Sequence, residues 1–287
     1  MLTKIDLNLI VLAFLSIIFL ALNSIFCKIA LESNYIDAYS FTFFRIVFAT
    51  ITLVFIYLLK NKALEISLKK NWFSGFALFL YAITFSYSYL SLDAGFGTLL
   101  LFAVVQISMI GVALIFKEKF NLYKILGVSI AFIGLVYLLY PQDDFSVDLF
   151  YGFLMIIAGT SWAVYSILGK SSNDALSNTT DNFIKACFFV MVFMLFVDFD
   201  TIYLTSTGIF YAFLSGSITS AIGYLMWYLV LPKIEINTAG ILQLFVPLIA
   251  IIISVLILDE VFTTTLFIST ILILFGVLIS FKKKVKV

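Results

Sequence analysis

The chain has 287 residues, of which 63% are hydrophobic and only 11% are charged, and its mean hydropathy is +1.18. A soluble domain has about 45–50% apolar and about 25% charged residues, so this composition excludes an ordinary soluble fold. Lys and Arg together number 17 and Asp and Glu 16, a net charge of +1, and we expect no nucleic-acid partner.

Apolar runs long enough to cross a bilayer as helices, about 20 residues each, fill most of the chain. They lack the period-two alternation of a transmembrane β-barrel, so we predict an all-α membrane protein. The first run has no small-residue cleavage site after it and is interpreted as a span. Ten spans are predicted, at residues 7–30, 38–59, 72–92, 95–116, 121–140, 149–169, 178–198, 207–231, 238–258 and 264–281.

Lysine placement predicts the orientation of these spans. If the N-terminus is cytoplasmic, the links and tails on that side hold 14 lysines, whereas the outer links hold none and carry ten acidic residues. Cytoplasmic loops are enriched in Lys and Arg. The sequence therefore predicts a multi-pass protein of a bacterial plasma membrane with both termini in the cytoplasm.

An internal repeat is visible around Pro247. The apolar run from Glu235 to Glu260 has the same shape as an earlier run from Asp93 to Glu118, and a shift of 142 residues aligns the acidic ends of both. The same shift maps Lys28 onto Lys170, Ser24 onto Ser166 and Gly134 onto Gly276. Chance alignment of two apolar segments is the alternative, but one constant offset favours a repeat. Five spans in each half make the second half enter the membrane from the opposite side, as in transporters with inverted repeats. We predict two five-helix repeats, at residues 1–141 and 142–287.

Four stretches resemble a known family. Ser161–Lys170 in span six, Gly223–Tyr228 in span eight, and Pro247 followed by Leu258–Glu260 are similar to the EamA-type branch of the drug/metabolite transporter superfamily. The first half departs from the pattern at Leu20, where the family favours tryptophan. The resemblance implies ten helices around a central cavity and export of amino acids or other small metabolites. It also implies that spans one, three, four, six, eight and nine line that cavity.

Polar and aromatic residues in mid-span are the candidates for the lining, because polar groups facing lipid are costly. In span eight, Ser217, Ser220, Tyr224 and Trp227 are predicted to share one helix face. The alternative is that such groups form hydrogen bonds that hold the helices together. The candidate substrate-binding residues are Asn23, Tyr81, Thr84, Gln106, Trp162, Tyr165, Tyr224, Trp227 and Gln243.

Two further residues have predicted roles. Pro247 cannot donate a hydrogen bond to the Gln243 carbonyl, which predicts a kink that takes part in gating. Arg45, the only arginine, is either a contact for an anionic group of the solute or an anchor that pairs with Asp37 or with a carbonyl at the outer edge of the span. Near the span ends, Lys28 is expected to pair with Glu32 four residues on. Lys185 is expected to extend its amine toward the membrane surface.

The residue types and motifs that the chain lacks reduce the number of function classes that fit it. There is no histidine, no phosphate-binding glycine loop and no Cys/His ligand set, so we expect neither a cofactor nor a metal. Cys27 and Cys187 lie in apolar runs and are interpreted as buried thiols. A membrane enzyme lacks candidate catalytic groups and is not favoured. All 16 acidic residues are assigned to links, tails or end turns, which favours a neutral or zwitterionic solute.

The function predicted from these observations is export of amino acids or similar small metabolites by alternating access. A passive facilitator or channel on the same scaffold is the alternative. The expected partners are the small-molecule solute and the lipid bilayer, and the protein is expected to be a monomer or a homodimer.

Overall fold

The computed structural model describes residues 7–61, 63, 69–115, 122–140, 148–234 and 236–280. Glu118, Glu235 and the start of the predicted second repeat lie outside these residues. Within them the secondary structure is helical, apart from one isolated bridge between Ile36 and Leu204. The α-helices are α1 Leu7–Glu32, α2 Ala38–Lys60, α3 Trp72–Ser88, α4 Ala94–Ile115, α5 Leu122–Leu139, α6 Leu149–Lys170, α7 Ala175–Phe193, α8 Ser206–Phe213, α9 Gly223–Val230, α10 Ile236–Gln243, α11 Phe245–Ile257 and α12 Thr264–Ser280.

These helices form ten spans, which confirms the predicted fold class. Six helices of the described part are long and apolar enough to cross a membrane, and three shorter apolar helices accompany them. The eighth span is continuous from Ser206 to Lys233 because a π-helical segment, Leu214–Ile222, joins α8 to α9. The ninth span consists of α10 and α11, which are interrupted at Leu244.

Spans three and seven differ from the predicted ranges. Helix α3 ends at Ser88. Helix α7 begins three residues earlier than predicted, because the Asp174 carboxylate accepts hydrogen bonds from the backbone N–H groups of Leu176 and Ser177. An acidic N-cap of this kind satisfies donors that have no partner within the helix. The α-helix then ends at Phe193 and passes into a short 3₁₀ turn.

Two glycines allow helices of opposite halves to approach closely, and this packing positions the side chains in the interior. A Cβ atom on Gly159 of α6 would lie 2.7 Å from the Leu101 carbonyl oxygen of α4, so only glycine allows this approach. Gly216 of the π segment lies against the Arg45 carbonyl in the same way. Helices α4 and α6, and the π segment and α2, therefore pack backbone to backbone. Helices α5 and α12 pack mainly on each other.

Contacts between the two halves hold the bundle together at the end where α1 finishes, which we call the Glu32 end. The Asp37 carboxylate caps α2 at Ser40 and also accepts from the backbone N–H of Tyr203. Glu260, in the link after α11, accepts from the backbone N–H groups of Ala94 and Gly95 at the start of α4. Carboxylates are stabilising at helix N-termini, so Glu260 holds the second half against the first.

Two lysines are paired inside the bundle. Lys28 Nζ lies 3.8 Å from Glu32, as predicted, and 4.0 Å from Asp93. The expectation for Lys185 was wrong. Its Nζ lies 2.5 Å from the Asp181 carboxylate, and both side chains are buried. Because α7 starts earlier than predicted, Asp181 lies well inside the helix and holds the lysine there.

Candidate functional site

The Tyr224 hydroxyl is the centre of a buried hydrogen-bond network between the halves. It accepts from Asn23 Nδ2 at 2.8 Å and from Arg45 Nη2 at 2.6 Å, and it donates to the Tyr81 hydroxyl at 3.0 Å. Asn23 lies on α1, Arg45 on α2 and Tyr81 on α3, whereas Tyr224 lies on α9. One phenolic oxygen thus joins three helices of the first half to the eighth span. We call the surrounding group the central cluster. It consists of Asn23, Arg45, Tyr81, Trp162, Ser215, Thr219, Ser220, Tyr224 and Gln243.

The π segment supplies hydroxyls that sequence reasoning missed. Asn23 Oδ1 accepts from Ser215 Oγ at 2.5 Å and from Thr219 Oγ1 at 3.1 Å. Ser217, which was expected on the site face, instead approaches the Phe48 carbonyl at 3.5 Å. A π turn closes i→i+5 hydrogen bonds and so shifts the face that a 3.6-residue period predicts. The small residues at 215–217 are the sequence signal for such an irregular turn.

Arg45 is buried at the centre of the bundle, with only 1% of its surface exposed. Nε donates to Ser220 Oγ at 2.9 Å, and the guanidinium carbon lies 5.4 Å from the Tyr81 ring centre and 5.0 Å from that of Phe85. Nη1 has no hydrogen-bond partner among the described residues. The interpretation of Arg45 as an anchor for Asp37 was wrong, because the Asp37 carboxylate is engaged at the Glu32 end.

Trp162 forms the aromatic wall of the central cluster. Its ring centre lies 4.9 Å from that of Tyr81, 4.7 Å from that of Tyr224 and 5.5 Å from that of Tyr165. Its indole Nε1 donates to Gln243 Oε1 at 2.9 Å. Gln243 ends α10, so the indole contacts the ninth span at the interruption that precedes Pro247. The proline leaves the Gln243 carbonyl without its helical donor, which accounts for the broken helix at this point.

The remaining candidates lie around or away from the central cluster. Tyr165 contacts Trp162 by its ring, and its carbonyl accepts from the Tyr228 hydroxyl at 3.0 Å. The other three make separate contacts: Trp227 donates to Ser166 at 3.4 Å, Gln106 to the Gly240 carbonyl at 2.5 Å, and Thr84 to the Leu80 carbonyl at 2.7 Å. The structure therefore brings Asn23, Arg45, Tyr81, Trp162, Tyr224 and Gln243 together, with Tyr165 at the edge, but not Thr84, Gln106 or Trp227.

The central cluster is sealed in this conformation. Asn23, Trp162 and Tyr224 have no exposed surface. A cavity of about 430 Å³ lies along α3 toward the Glu32 end, where Thr84 and Tyr87 are part of its lining. A more polar cavity of about 240 Å³ lies toward the opposite end. Both border α3, the helix that carries Tyr81 between them.

Equivalent lysines make related contacts at the two ends of the bundle. Lys28, at the end of α1, approaches Asp93 in the link before α4. Lys170, its equivalent under the 142-residue shift, donates from Nζ to the Ile234 carbonyl at 2.6 Å, in the link before α10. The Lys28 contact at the Glu32 end, made by the first half, thus has a counterpart in the Lys170 contact that the second half makes at the opposite end.

The described residues contain no group of three or more His, Cys, Asp or Glu side chains that could hold a metal ion. Both cysteines are free thiols. The chemistry of the central cluster is that of hydroxyls, amides, aromatic faces and one guanidinium. Such groups bind and orient an organic molecule, and they include no nucleophile activated by a base.

Comparisons with known proteins agree with this architecture. The model of the EamA-like transporter family matches residues 7–140 and again residues 149–282. A Pseudomonas aeruginosa protein, named as uncharacterized, is 33% identical over 272 residues, which are 95% of this chain and 94% of that protein. YoaV of Bacillus subtilis, named an uncharacterized transporter, is 22% identical over 168 residues, which are 56% of this chain and 57% of YoaV.

A solved crystal structure matches with a TM-score of 0.70 over 96% of this chain and 97% of its own length. At 13% sequence identity this likeness shows the fold alone. The family match is stronger evidence, because it covers both halves of the chain separately. The chain is therefore a member of the EamA-like transporter family.

Proposed function

We propose that the protein carries a small organic metabolite, of the size of an amino acid, across the membrane by alternating access, with the central cluster as its binding site. The observation that carries this proposal is the Tyr224 hydroxyl, which bonds side chains of three first-half helices at a depth sealed from both ends. A site between two repeats is where transporters of this plan hold their solute.

The related lysine contacts favour a carrier over a passive channel. Lys28 closes toward Asp93 at the Glu32 end, and Lys170 closes toward Ile234 at the opposite end. We propose that these contacts open in turn, so that the cluster is never exposed to both sides at once. In keeping with the lysine distribution, the Lys170 end faces the cytoplasm of a bacterial cell. We propose export as the direction of net transport, in line with the sequence resemblance.

Counterflow in proteoliposomes tests the proposal. Vesicles containing the purified full chain are preloaded with an unlabelled mixture of the protein amino acids and small organic carboxylates and are then given the labelled mixture outside. A carrier gives saturable uptake that preloading accelerates, whereas a channel gives uptake that is linear in concentration and independent of preloading. Tyr224→Phe retains the ring but removes the shared oxygen, so it should slow uptake, while protein-free vesicles set the background.

A further inference from the structure

We propose that the central cluster is built for an organic monoanion: a small carboxylate with an apolar or aromatic body, whose negative charge pairs with Arg45. The inference rests on the proposed function, since it assumes that the solute binds in the central cluster. It changes the expected solute from a zwitterionic amino acid to a carboxylic acid that lacks the ammonium group.

The charge of Arg45 is the first step. A guanidinium stays protonated in proteins, so this buried side chain carries a full positive charge. Its hydrogen bonds go to the hydroxyls of Ser220, Tyr224 and Tyr81, and its flat face lies near aromatic rings. All of these partners are neutral. Burying a charge without a counter-charge is costly, so a side chain of this kind calls for an anion.

The other cations buried in the described part of the bundle provide the comparison. Lys28 lies within 4.0 Å of two carboxylates, and Lys185 lies 2.5 Å from Asp181. The fold thus pairs these amines with acidic side chains of its own. Arg45 is the least exposed of the three and has no such pairing among the described residues. A bound solute is the source of negative charge that remains.

The geometry of the guanidinium fits a carboxylate. Nε and Nη2 are held by Ser220 and Tyr224, which fixes the plane of the group, while Nη1 has no hydrogen-bond partner among the described residues. The longer contact of Nη2, 3.3 Å to the Tyr81 hydroxyl, is the one that a second carboxylate oxygen would replace. Paired N–H groups of arginine bind the two oxygens of a carboxylate side by side.

The body of the solute would lie on the aromatic wall. The rings of Tyr81, Trp162 and Tyr224 lie 4.7–6.3 Å apart, centre to centre. An apolar or aromatic group gains most from such faces. The central cluster contains no Asp or Glu that would balance an ammonium group. Binding a monoanion leaves the site neutral, whereas binding a zwitterion leaves the charge of Arg45 uncancelled.

The test compares four probes that share one aromatic body but differ in charge: 3-phenylpropionate, 3-phenylpropionamide, phenylalanine and 2-phenylethylamine. Each competes against labelled 3-phenylpropionate in counterflow by the full chain in proteoliposomes at pH 7. We expect the carboxylate to compete at concentrations at least about tenfold lower than the amide, amino acid or amine. This panel uses the wild-type protein and does not depend on the folding of any variant.

Variants assign the preference to Arg45. Arg45→Gln should remove the advantage of the carboxylate over the amide, and Arg45→Lys should restore part of it. Asn23→Asp places a carboxylate on the side chain that shares the Tyr224 hydroxyl with Arg45, so it should weaken carboxylate competition by supplying an internal anion. Lys60→Gln, at the exposed end of the same helix, is the matched control for loss of one positive charge and should leave the preference unchanged.

The outcomes separate the two proposals. Saturable counterflow in which the amide, amino acid or amine competes as well as the carboxylate would overturn the monoanion inference and leave the carrier function standing. A carboxylate preference that persists in Arg45→Gln would also overturn it. Linear uptake of labelled 3-phenylpropionate, unaffected by preloading, would overturn the monoanion inference. The carrier function is contradicted as well only if the labelled mixture used to test it also enters linearly and independently of preloading.

Discussion

Asn23 and Tyr224 come from opposite halves of the chain, 201 residues apart, and share a hydrogen bond of 2.8 Å at the centre of the bundle. Asn23 Oδ1 also accepts from two hydroxyls of the π segment, so both ends of its amide are hydrogen-bonded. The bond fixes α1 against the eighth span at the level where Arg45 contacts the same tyrosine. Asn23 therefore joins the two halves and lies within the central cluster that we propose as the binding site.

The first prediction concerns Asn23→Ala. The substitution leaves the buried Ser215 hydroxyl without its acceptor, whereas the Thr219 hydroxyl keeps the Ser215 carbonyl. The free energy of unfolding should therefore fall by about 1–3 kcal/mol. Thermal melts in detergent measure the change. Ser16→Ala is the matched control, because Ser16 is buried on the same helix but bonds only the nearby Ala13 carbonyl. Equal melting temperatures for the Asn23 variant and the wild type would show that the network contributes nothing.

The second prediction separates the two contacts of Trp162. Trp162→Phe keeps a ring against Tyr81 and Tyr224 but removes the indole N–H that Gln243 accepts. It should lower the free energy of unfolding by about 1–3 kcal/mol, whereas Trp162→Ala should lower it by about 3–5 kcal/mol because it also leaves a cavity. If both variants melt at the same temperature, the aromatic wall does not stabilise the closed conformation. Counterflow should fall in both, and more steeply in the alanine variant.

The third prediction concerns the interrupted ninth span. Pro247→Ala restores a donor for the Gln243 carbonyl, which should straighten α10 against α11 and move Gln243 relative to Trp162. We expect a monodisperse protein that transports several-fold more slowly. Pro232→Ala, which replaces an exposed proline next to the same helix pair, is the control. Transport at the wild-type rate in Pro247→Ala, at equal expression, would show that the interruption has no part in gating.

The fourth prediction concerns pH and Glu260. Partial burial raises the pKa of this carboxyl above its ordinary value of 4.5, and nearby Asp93 adds to the effect, although the backbone N–H groups of Gly95 and Ala94 oppose it. The folded state therefore holds the proton more tightly than the unfolded state. This contribution to stability is complete below about pH 4.5 and is lost as the pH rises through the raised pKa.

Melting temperatures measured across this range should show the effect as a difference between two proteins. The wild type should lose stability with rising pH relative to Glu260→Gln, whose side chain does not titrate. The amide keeps one acceptor for the start of α4 and so preserves part of the cap. Parallel pH profiles for the two proteins would refute the assignment.

The fifth prediction concerns orientation. In a variant whose two cysteines are replaced by serine, a new cysteine at the exposed Asp200 should react with a membrane-impermeant maleimide in intact cells, whereas one at the exposed Lys69 should react only after lysis. The reason is the excess of lysine on the predicted cytoplasmic side. The opposite labelling pattern would invert the orientation and place the Lys170 end outside the cell.

The sequence alone determined the class of the protein, the number of its spans and most of their bounds. Apolar length and the cost of polar groups in lipid act locally, so they can be read from single segments such as 38–60 or 149–170. The same cost directed Asn23, Tyr81, Trp162 and Tyr224 to the interior, where the structure brings them together.

Tertiary structure alone decided how these groups meet. The π segment moved Ser217 off the site face and brought Ser215 and Thr219 onto it, because i→i+5 hydrogen bonding changes the helical register in a way that no 3.6-residue pattern contains. Arg45 is positioned by partners on other helices. Lys185 is positioned by Asp181 of its own helix, which begins earlier than the sequence predicted. The Lys185 amine is thereby paired with a carboxylate, whereas Arg45 has no carboxylate partner among the described residues, since such pairing depends on helix bounds and packing that the linear sequence does not record.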